Sequence, residues 1–312
     1  MNFKKPLFWD EKKISIFSVL LFPLTIFIYI NNFHLKISKK IKPKKITSIC
    51  VGNIYLGGTG KTPLVIKINE ILSLLKFKVI IGKKFYNSQI DEINLIKKKS
   101  KIITKKNRIL IIKEAIKKKN NIIIFDDGLQ DKSIEYDYKF VCFDALNWLG
   151  NGMLIPSGPL REKLDSLSKY DAVFIKNISG SDKKIMKDIK GINPKIKIFN
   201  TKYEILNIKK FNLSKKFVIF SGIGNPKSFS KLLEKNKFKI IEKFIFPDHY
   251  KYQKKDLINI IKTSKKLNAE IITTEKDYTK IPKVYQKEIK CLKTNLVIIE
   301  NKKFKNYLKN II

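Results

Sequence analysis

The chain has 312 residues, with 66 Lys plus Arg against 27 Asp plus Glu, for a formal net charge of +39. That length accommodates two domains of ordinary size, or one large α/β domain with an appended segment, so core formation is not limiting. The charge invites a polyanionic partner, but the only arginines are Arg108 and Arg161, and the lysines are dispersed, which argues against nucleic acid.

In a chain so rich in Lys, Ile and Asn, the few Gly, Pro, His and Arg residues mark places where geometry or chemistry demands them. The cysteines Cys50, Cys142 and Cys291 show no CxxC spacing, so neither a disulfide framework nor a zinc site is indicated, and a reducing cytoplasm fits.

From Ile14 to Ile30 the sequence is uncharged and strongly apolar, flanked by Lys12 and Lys13 before it and by Lys36, Lys39 and Lys40 after it. A full bilayer crossing needs about 20 such residues, and Pro23 interrupts the run. The expectation is therefore a monotopic or partly inserted helix, with a buried core helix as the alternative. No small-residue cleavage site follows, which argues against a signal peptide, and no catalytic role is expected for His34.

After Pro43 short apolar runs alternate with helical periodicity, the signature of βαβ units and a largely parallel sheet. Strands are predicted at Ile46 to Val51, Lys78 to Ile81, Ile122 to Phe125, Phe140 to Phe143 and Ala172 to Ile175. A second set begins near Phe217. It comprises Phe217 to Ser221, a helix opening at Asn225-Pro226, a strand around Ile240 to Phe246, a helix from Lys254 to about Lys266, and strands at Glu270 to Thr274 and Leu296 to Ile299. The Lys-rich stretch from Asn177 to Lys197 is the candidate linker. The expected division is residues 1–42 for the apolar helix and basic linker, 43–180 for a P-loop domain, and 181–312 for a smaller α/β domain.

Between the first strand and the helix that opens at Thr62-Pro63 lies Gly57-Gly58-Thr59-Gly60-Lys61-Thr62. Closely spaced glycines let backbone N–H groups converge on phosphate oxygens, Lys61 reaches the β- and γ-phosphates, and the Thr62 hydroxyl meets Mg²⁺. The general pattern wants another Gly where Tyr55 stands, and Gly57-Gly58 supply flexibility closer to the lysine. Tyr55, Leu56, Gly57, Gly58, Thr59, Gly60, Lys61 and Thr62 are thus the candidate ATP contacts. The buried strand ending in Asp126-Asp127-Gly128 resembles a Walker B element, one aspartate to hold Mg²⁺ directly or through water and the other to orient it or the acceptor. Taken alone, Asp-Asp-Gly reads first as a turn that ends a strand; beside the phosphate loop the metal-binding reading is favoured.

Several blocks together resemble the tetraacyldisaccharide 4′-kinases of the lipid A pathway. They are Gly52-Asn53 with the phosphate loop and Pro63, Asp126-Asp127-Gly128-Leu129-Gln130, Leu154-Ile155-Pro156-Ser157-Gly158-Pro159-Leu160-Arg161-Glu162, Ser221-Gly222-Ile223-Gly224-Asn225-Pro226, Asp248-His249-Tyr250 and Thr274-Glu275-Lys276-Asp277. The resemblance implies a P-loop kinase using ATP and Mg²⁺, with a second domain closing over the active site. It would phosphorylate the 4′-hydroxyl of a lipid-linked glucosamine disaccharide 1-phosphate, as a monomer docked on the anionic cytoplasmic face of the inner membrane.

By the same resemblance Asp91 is the base and His249 its partner, placing the reaction between the domains. Arg161 contacts phosphate and Glu162 supports Mg²⁺ or the sugar, so Thr62, Asp126 and Glu162 form the candidate metal set beside catalytic Lys61, Asp126, Asp127 and Arg161. Glu275 and Asp277 either contact ribose or cap a loop. The chain departs from the family at Gly82-Lys83-Lys84-Phe85-Tyr86, where Ser-Arg-Gly-Tyr-Gly is usual, and at Ile90, where Gly is. The contrasting reading is a P-loop NTPase acting as a conformational switch in maturation or transport.

Overall fold

The computed structural model describes residues 5–37, 39–131, 133–176 and 183–312. The helices are α1 (Ile16–Leu21), α2 (Thr25–Ile37), α3 (Lys61–Leu74), α4 (Ile90–Lys99), α5 (Arg108–Lys117), α6 (Lys183–Ile192), α7 (Pro226–Lys235), α8 (Lys254–Lys266), α9 (Glu275–Tyr278), α10 (Lys283–Gln286) and α11 (Asn301–Ile311). The strands are β1 (Thr47–Gly52), β2 (Val79–Lys84), β3 (Ile102–Lys105), β4 (Ile122–Asp126), β5 (Tyr138–Asp144), β6 (Ala172–Lys176), β7 (Lys197–Ile205), β8 (Lys216–Ser221), β9 (Lys239–Ile245), β10 (Ala269–Thr274), β11 (Ile289–Leu292) and β12 (Thr294–Ile298).

An eight-stranded sheet runs β12-β7-β6-β5-β1-β4-β2-β3 and a four-stranded one β11-β10-β8-β9. Pairing is parallel from β3 through β7 and throughout the smaller sheet. The near-continuous burial of β1, β4 and β6 follows from this, because strands covered by helices on both faces bury nearly every side chain. β1 lies between β4 and β5, which brings the carboxyl end of β1 beside that of β4, where open α/β sheets bind ligands.

Two compact units result. The larger contains Lys5–Tyr86, Lys99–Lys202 and Val297–Ile312, and the smaller contains Asn87–Lys98 and Tyr203–Leu296. The division does not fall at 180/181, because β7 carries the chain past that point within the large sheet and α11 returns to pack Phe304 among Phe140, Phe174 and Phe199. The expected linker is also largely structured. Residues 177–182 lie outside the described residues, but Lys183–Ile192 is a helix that buries Ile185 and Ile189 in the large core while its lysines cover the outer face. The i, i+4 spacing of Ile185 and Ile189 is the helical signal there, set among lysines that read as a linker.

The apolar N-terminal segment forms one helical stretch, Ile16–His34, with a 3₁₀ turn at Phe22–Leu24 where Pro23 sits. It is long and apolar enough to cross a membrane, and it is not a core helix. Ile16, Phe17, Leu20, Phe27 and Phe33 are exposed. Ser18 and Thr25, which are polar, are buried. The polarity is thus the reverse of a soluble amphipathic helix, whose apolar stripe faces the core. Of the flanking lysines, Lys12, Lys13, Lys39 and Lys40 are exposed, and the side chain of Lys36 lies outside the description.

Candidate functional site

In the larger unit, α3 starts at Lys61 directly after the glycine loop. Gly57 and Gly60 adopt φ of 144° and 91°, values a side chain disfavours, and Gly60 at the N-cap supplies no capping side chain to the first turn. The helix therefore begins with backbone donors and positive dipole available to an anion. Asn53, just past β1, holds the loop from inside. Its amide donates to the carbonyls of Tyr55 and Gly57 and to Thr59 Oγ1 at 3.1 Å, while its Oδ1 accepts from Lys61 Nζ at 3.0 Å. Gly52 precedes it because a Cβ there would sit 2.5 Å from Leu129 Cγ.

β4 delivers Asp126 and Asp127 beside this loop. Asp126 is buried, and its Oδ2 accepts from the Thr62 hydroxyl at 2.9 Å and from Lys83 Nζ at 2.7 Å. Its Oδ1 is buried with no hydrogen-bond partner among the described residues. Such an orphaned carboxylate oxygen next to a threonine hydroxyl suits a hard cation that takes oxygen ligands, so these residues fit Mg²⁺. Among the described residues no group of three or more His, Cys, Asp or Glu is placed to hold a metal ion by itself. A phosphate-bound Mg²⁺ needs none, since it uses one or two carboxylates plus phosphate oxygens.

Asp127 turns the other way at φ 58°, pairing with Lys61 at 3.4 Å and with Arg161 at 3.2 Å. Arg108, at the first turn of α5, donates to the Asp127 carbonyl and to Asp131, and so fixes that turn. Gln130 is the hub of the remaining polar network: it donates to the Asn53 carbonyl at 3.0 Å and to Glu162 at 2.9 Å, and accepts from Arg161 at 3.1 Å. The other Glu162 oxygen accepts from Tyr170 at 3.1 Å, whose hydroxyl is pushed well up by burial and then by the Glu162 charge, and so stays a donor.

The smaller unit holds a separate cluster. Asp91 lies in the first turn of α4, where the helix dipole favours a carboxylate, and its side chain is only 8% exposed. His249, in the loop after β9 at φ 59°, places Nδ1 at 2.9 Å from Asp91 Oδ1 and 3.1 Å from Oδ2. Burial alone would raise the Asp91 carboxyl. The His249 hydrogen bond and the charges of Lys276 and Lys280 outweigh it, and hold the group below the ordinary carboxylate value.

The family described as Tetraacyldisaccharide-1-P 4′-kinase matches residues 15–90 and 87–312. The chain belongs to that family. It is 46% identical over 308 residues to the tetraacyldisaccharide 4′-kinase of Pelagibacter ubique, an alignment covering 99% of this chain and 98% of that protein. The tetraacyldisaccharide 4′-kinase of Rickettsia bellii is 34% identical, covering 88% of this chain and 89% of that one. Among solved structures, LpxK from Aquifex aeolicus in complex with ATP shares the fold, with a TM-score of 0.69 at 21% identity over 95% of this chain and 99% of that chain.

Within this 4′-kinase fold the residues singled out from sequence fall into two groups. In the larger unit Thr62 and Lys83 meet at Asp126, and Lys61, Asp127, Arg161 and Glu162 share a network with Asn53 and Gln130; Asp91 and His249 pair in the smaller. Asp91 is not a solvent-facing loop acid. The Tyr55 side chain is turned away from the loop: it packs on Leu154, Leu160 and Ile28, with its hydroxyl on Asp10 and Lys5. The described contacts of Glu162 run to Gln130 and Tyr170, not to Thr62 or Asp126. Asp277 is fully buried and bonded to Gly222 N–H at 3.0 Å and Thr274 at 2.8 Å, which is a cap.

Residues to which sequence reading gave no role in the site are Asn53, Lys83, Arg108 and Gln130. Arg108 carried a signal in its rarity, and Asn53 and Gln130 in their place beside the motifs. Lys83 carried none, being one lysine among many.

Proposed function

We infer that this chain transfers the γ-phosphoryl group of ATP to the 4′-hydroxyl of a tetraacyl glucosamine disaccharide 1-phosphate, forming lipid IVA in lipid A biosynthesis. The observation that carries it is a complete phosphate loop, with paired aspartates at the end of the adjacent strand, in a chain that belongs to the 4′-kinase family over nearly its whole length.

The loop amides and Lys61 hold the β- and γ-phosphates of the substrate ATP, and Arg161 adds a planar cation for the oxygens that gain charge. Thr62 and Asp126 would hold Mg²⁺, while Glu162 braces Gln130 and through it Arg161. When bound there, a divalent cation would neutralise charge on the phosphate oxygens. Asp127 keeps Lys61 and Arg161 aligned. Asp91, oriented by His249, accepts the proton of the 4′-hydroxyl. That oxygen bonds to the γ-phosphorus as the bridging P–O bond breaks, and ADP leaves with its electron pair.

The exposed apolar helix Ile16–His34 and the lysines around it seat the enzyme on an anionic bilayer, on the cytoplasmic face where ATP is available. The test is transfer of labelled γ-phosphate to purified disaccharide 1-phosphate in mixed micelles. Product is expected with the native chain and not with Asp91→Asn or His249→Ala, both of which keep ATP binding. ATP hydrolysis without a labelled lipid would refute the kinase in favour of a nucleotide switch.

A further inference from the structure

The Asp91–His249 pair does not stand alone. α9 is locked by Asp277, whose carboxylate accepts from Gly222, Thr274 and Lys280. This sends Lys276 and Lys280, four residues apart, to one side of the turn. Lys276 Nζ lies 2.9 Å from Asp248 Oδ1, 3.4 Å from Glu92 Oε1 and 3.6 Å from Asp91 Oδ2. Lys280 Nζ lies 3.5 Å from the same Oδ2. Both ammonium groups are thus on Oδ2, whereas His249 Nδ1 makes its shorter contact, 2.9 Å, with Oδ1.

The charge balance around Asp91 explains why two cations are needed. Glu92 on its own helix, Asp248 beside His249 and Asp277 in α9 are all acidic, and His249, Lys276 and Lys280 are the basic groups facing them. Carboxylates crowded together favour protonation of one another. A protonated Asp91 accepts no proton from a hydroxyl.

We propose that Lys276 and Lys280 are positioning residues for phosphoryl transfer: they neutralise the Oδ2 side of Asp91, so that the carboxylate stays ionised while His249 Nδ1 and the Glu92 N–H hold Oδ1. This rests on Asp91 being the base. Burial would lower the Lys276 ammonium, but Glu92, Asp248 and Asp91 hold it above the ordinary lysine value, so it is a permanent charge across the working range.

The experiment uses the full chain with ¹³C-carboxyl aspartate, the Asp91 resonance being assigned with Asp91→Asn, alongside kcat/KM against pH. In Lys276→Met and in Lys280→Met, the Asp91 titration and the acid limb of kcat/KM are expected to move up together by about one pH unit. Lys276→Arg is expected to restore both. An Asp91 titration that stays put in both Met variants overturns the proposal, as does one that moves while the acid limb does not. Full turnover in Asp91→Asn defeats the base assignment itself, an outcome separate from the other two.

Discussion

Lys83→Met tests how the phosphate site is held together. Lys83 comes from β2 and Asp126 from β4, their side chains are 2% and 0% exposed, and they meet at 2.7 Å. Methionine preserves the side chain's volume and deletes its charge, which removes the only ammonium bonded to Asp126 among the described residues. Breaking a buried ion pair by removing one partner costs about 3–5 kcal/mol, because the survivor is left desolvated and uncompensated. Against a total stability of about 5–15 kcal/mol this is a large fraction. It corresponds to a fall in unfolding temperature of roughly 6–20 °C at ~2–4 °C per kcal/mol. Asp126→Asn alone is expected to cost a similar amount by removing the charge that compensates the Lys83 ammonium, whereas Lys83→Met with Asp126→Asn is expected to lose less than the two combined, since both charges of the pair are then gone. Both tryptophans, Trp9 and Trp148, lie in the larger unit with this pair, so tryptophan fluorescence during urea or thermal unfolding reports on the relevant region. A single variant within about 1 kcal/mol of the parent, or a double variant as unstable as the two singles added, refutes the reasoning.

Gly60→Ala forces a side chain onto φ 91° at the head of α3, a strain of about 1–2 kcal/mol, and is expected to weaken ATP binding by roughly tenfold in a nucleotide titration. Unchanged affinity would mean that the loop tolerates another path. Asn32→Leu removes the 3.1 Å hydrogen bond from α2 to the Arg161 carbonyl, worth about 1 kcal/mol, and is expected to lower kcat/KM roughly fivefold with vesicle co-sedimentation intact. Equal loss of both would make Asn32 a docking residue instead. Asp91 has a depressed folded-state pKa, so its contribution to stability is present above the unfolded value of about 3.9 and is lost as pH falls through the folded value. The stability gap between the native chain and Asp91→Asn is therefore expected to be full at pH 7 and to close in strong acid in urea titrations; a gap constant with pH would contradict the sign.

The N-terminal segment has a second consequence for such experiments. Trp9 Nε1 donates to the Pro156 carbonyl at 3.0 Å, and Asn151 bonds both the Trp9 carbonyl and Ser18 Oγ, each at 3.0 Å. Deleting the helix is therefore expected to disturb the loop that carries Arg161 and Glu162 as well as the proposed membrane attachment. Composition marked that helix as a membrane element, but only its buried polar face shows that it also supports the site.

The amino-acid sequence by itself determined the parts whose information is local. Glycine spacing before Lys61 sets a backbone that can receive phosphate, the apolar run ending in Asp126-Asp127 sets a buried strand that presents carboxylates, and family membership follows from blocks of this kind. Tertiary structure decided what depends on distant residues meeting. Asp91 and His249 are separated by 158 positions, and Lys83 and Asp126 by 43. A lysine that neutralises a buried carboxylate looks, in a chain with so many lysines, like any that faces water. Burial separates the two cases, because desolvation makes the pairing obligatory, and burial is a property of the folded chain. The same holds for Lys276 and Lys280, whose place around Asp91 only the fold reveals.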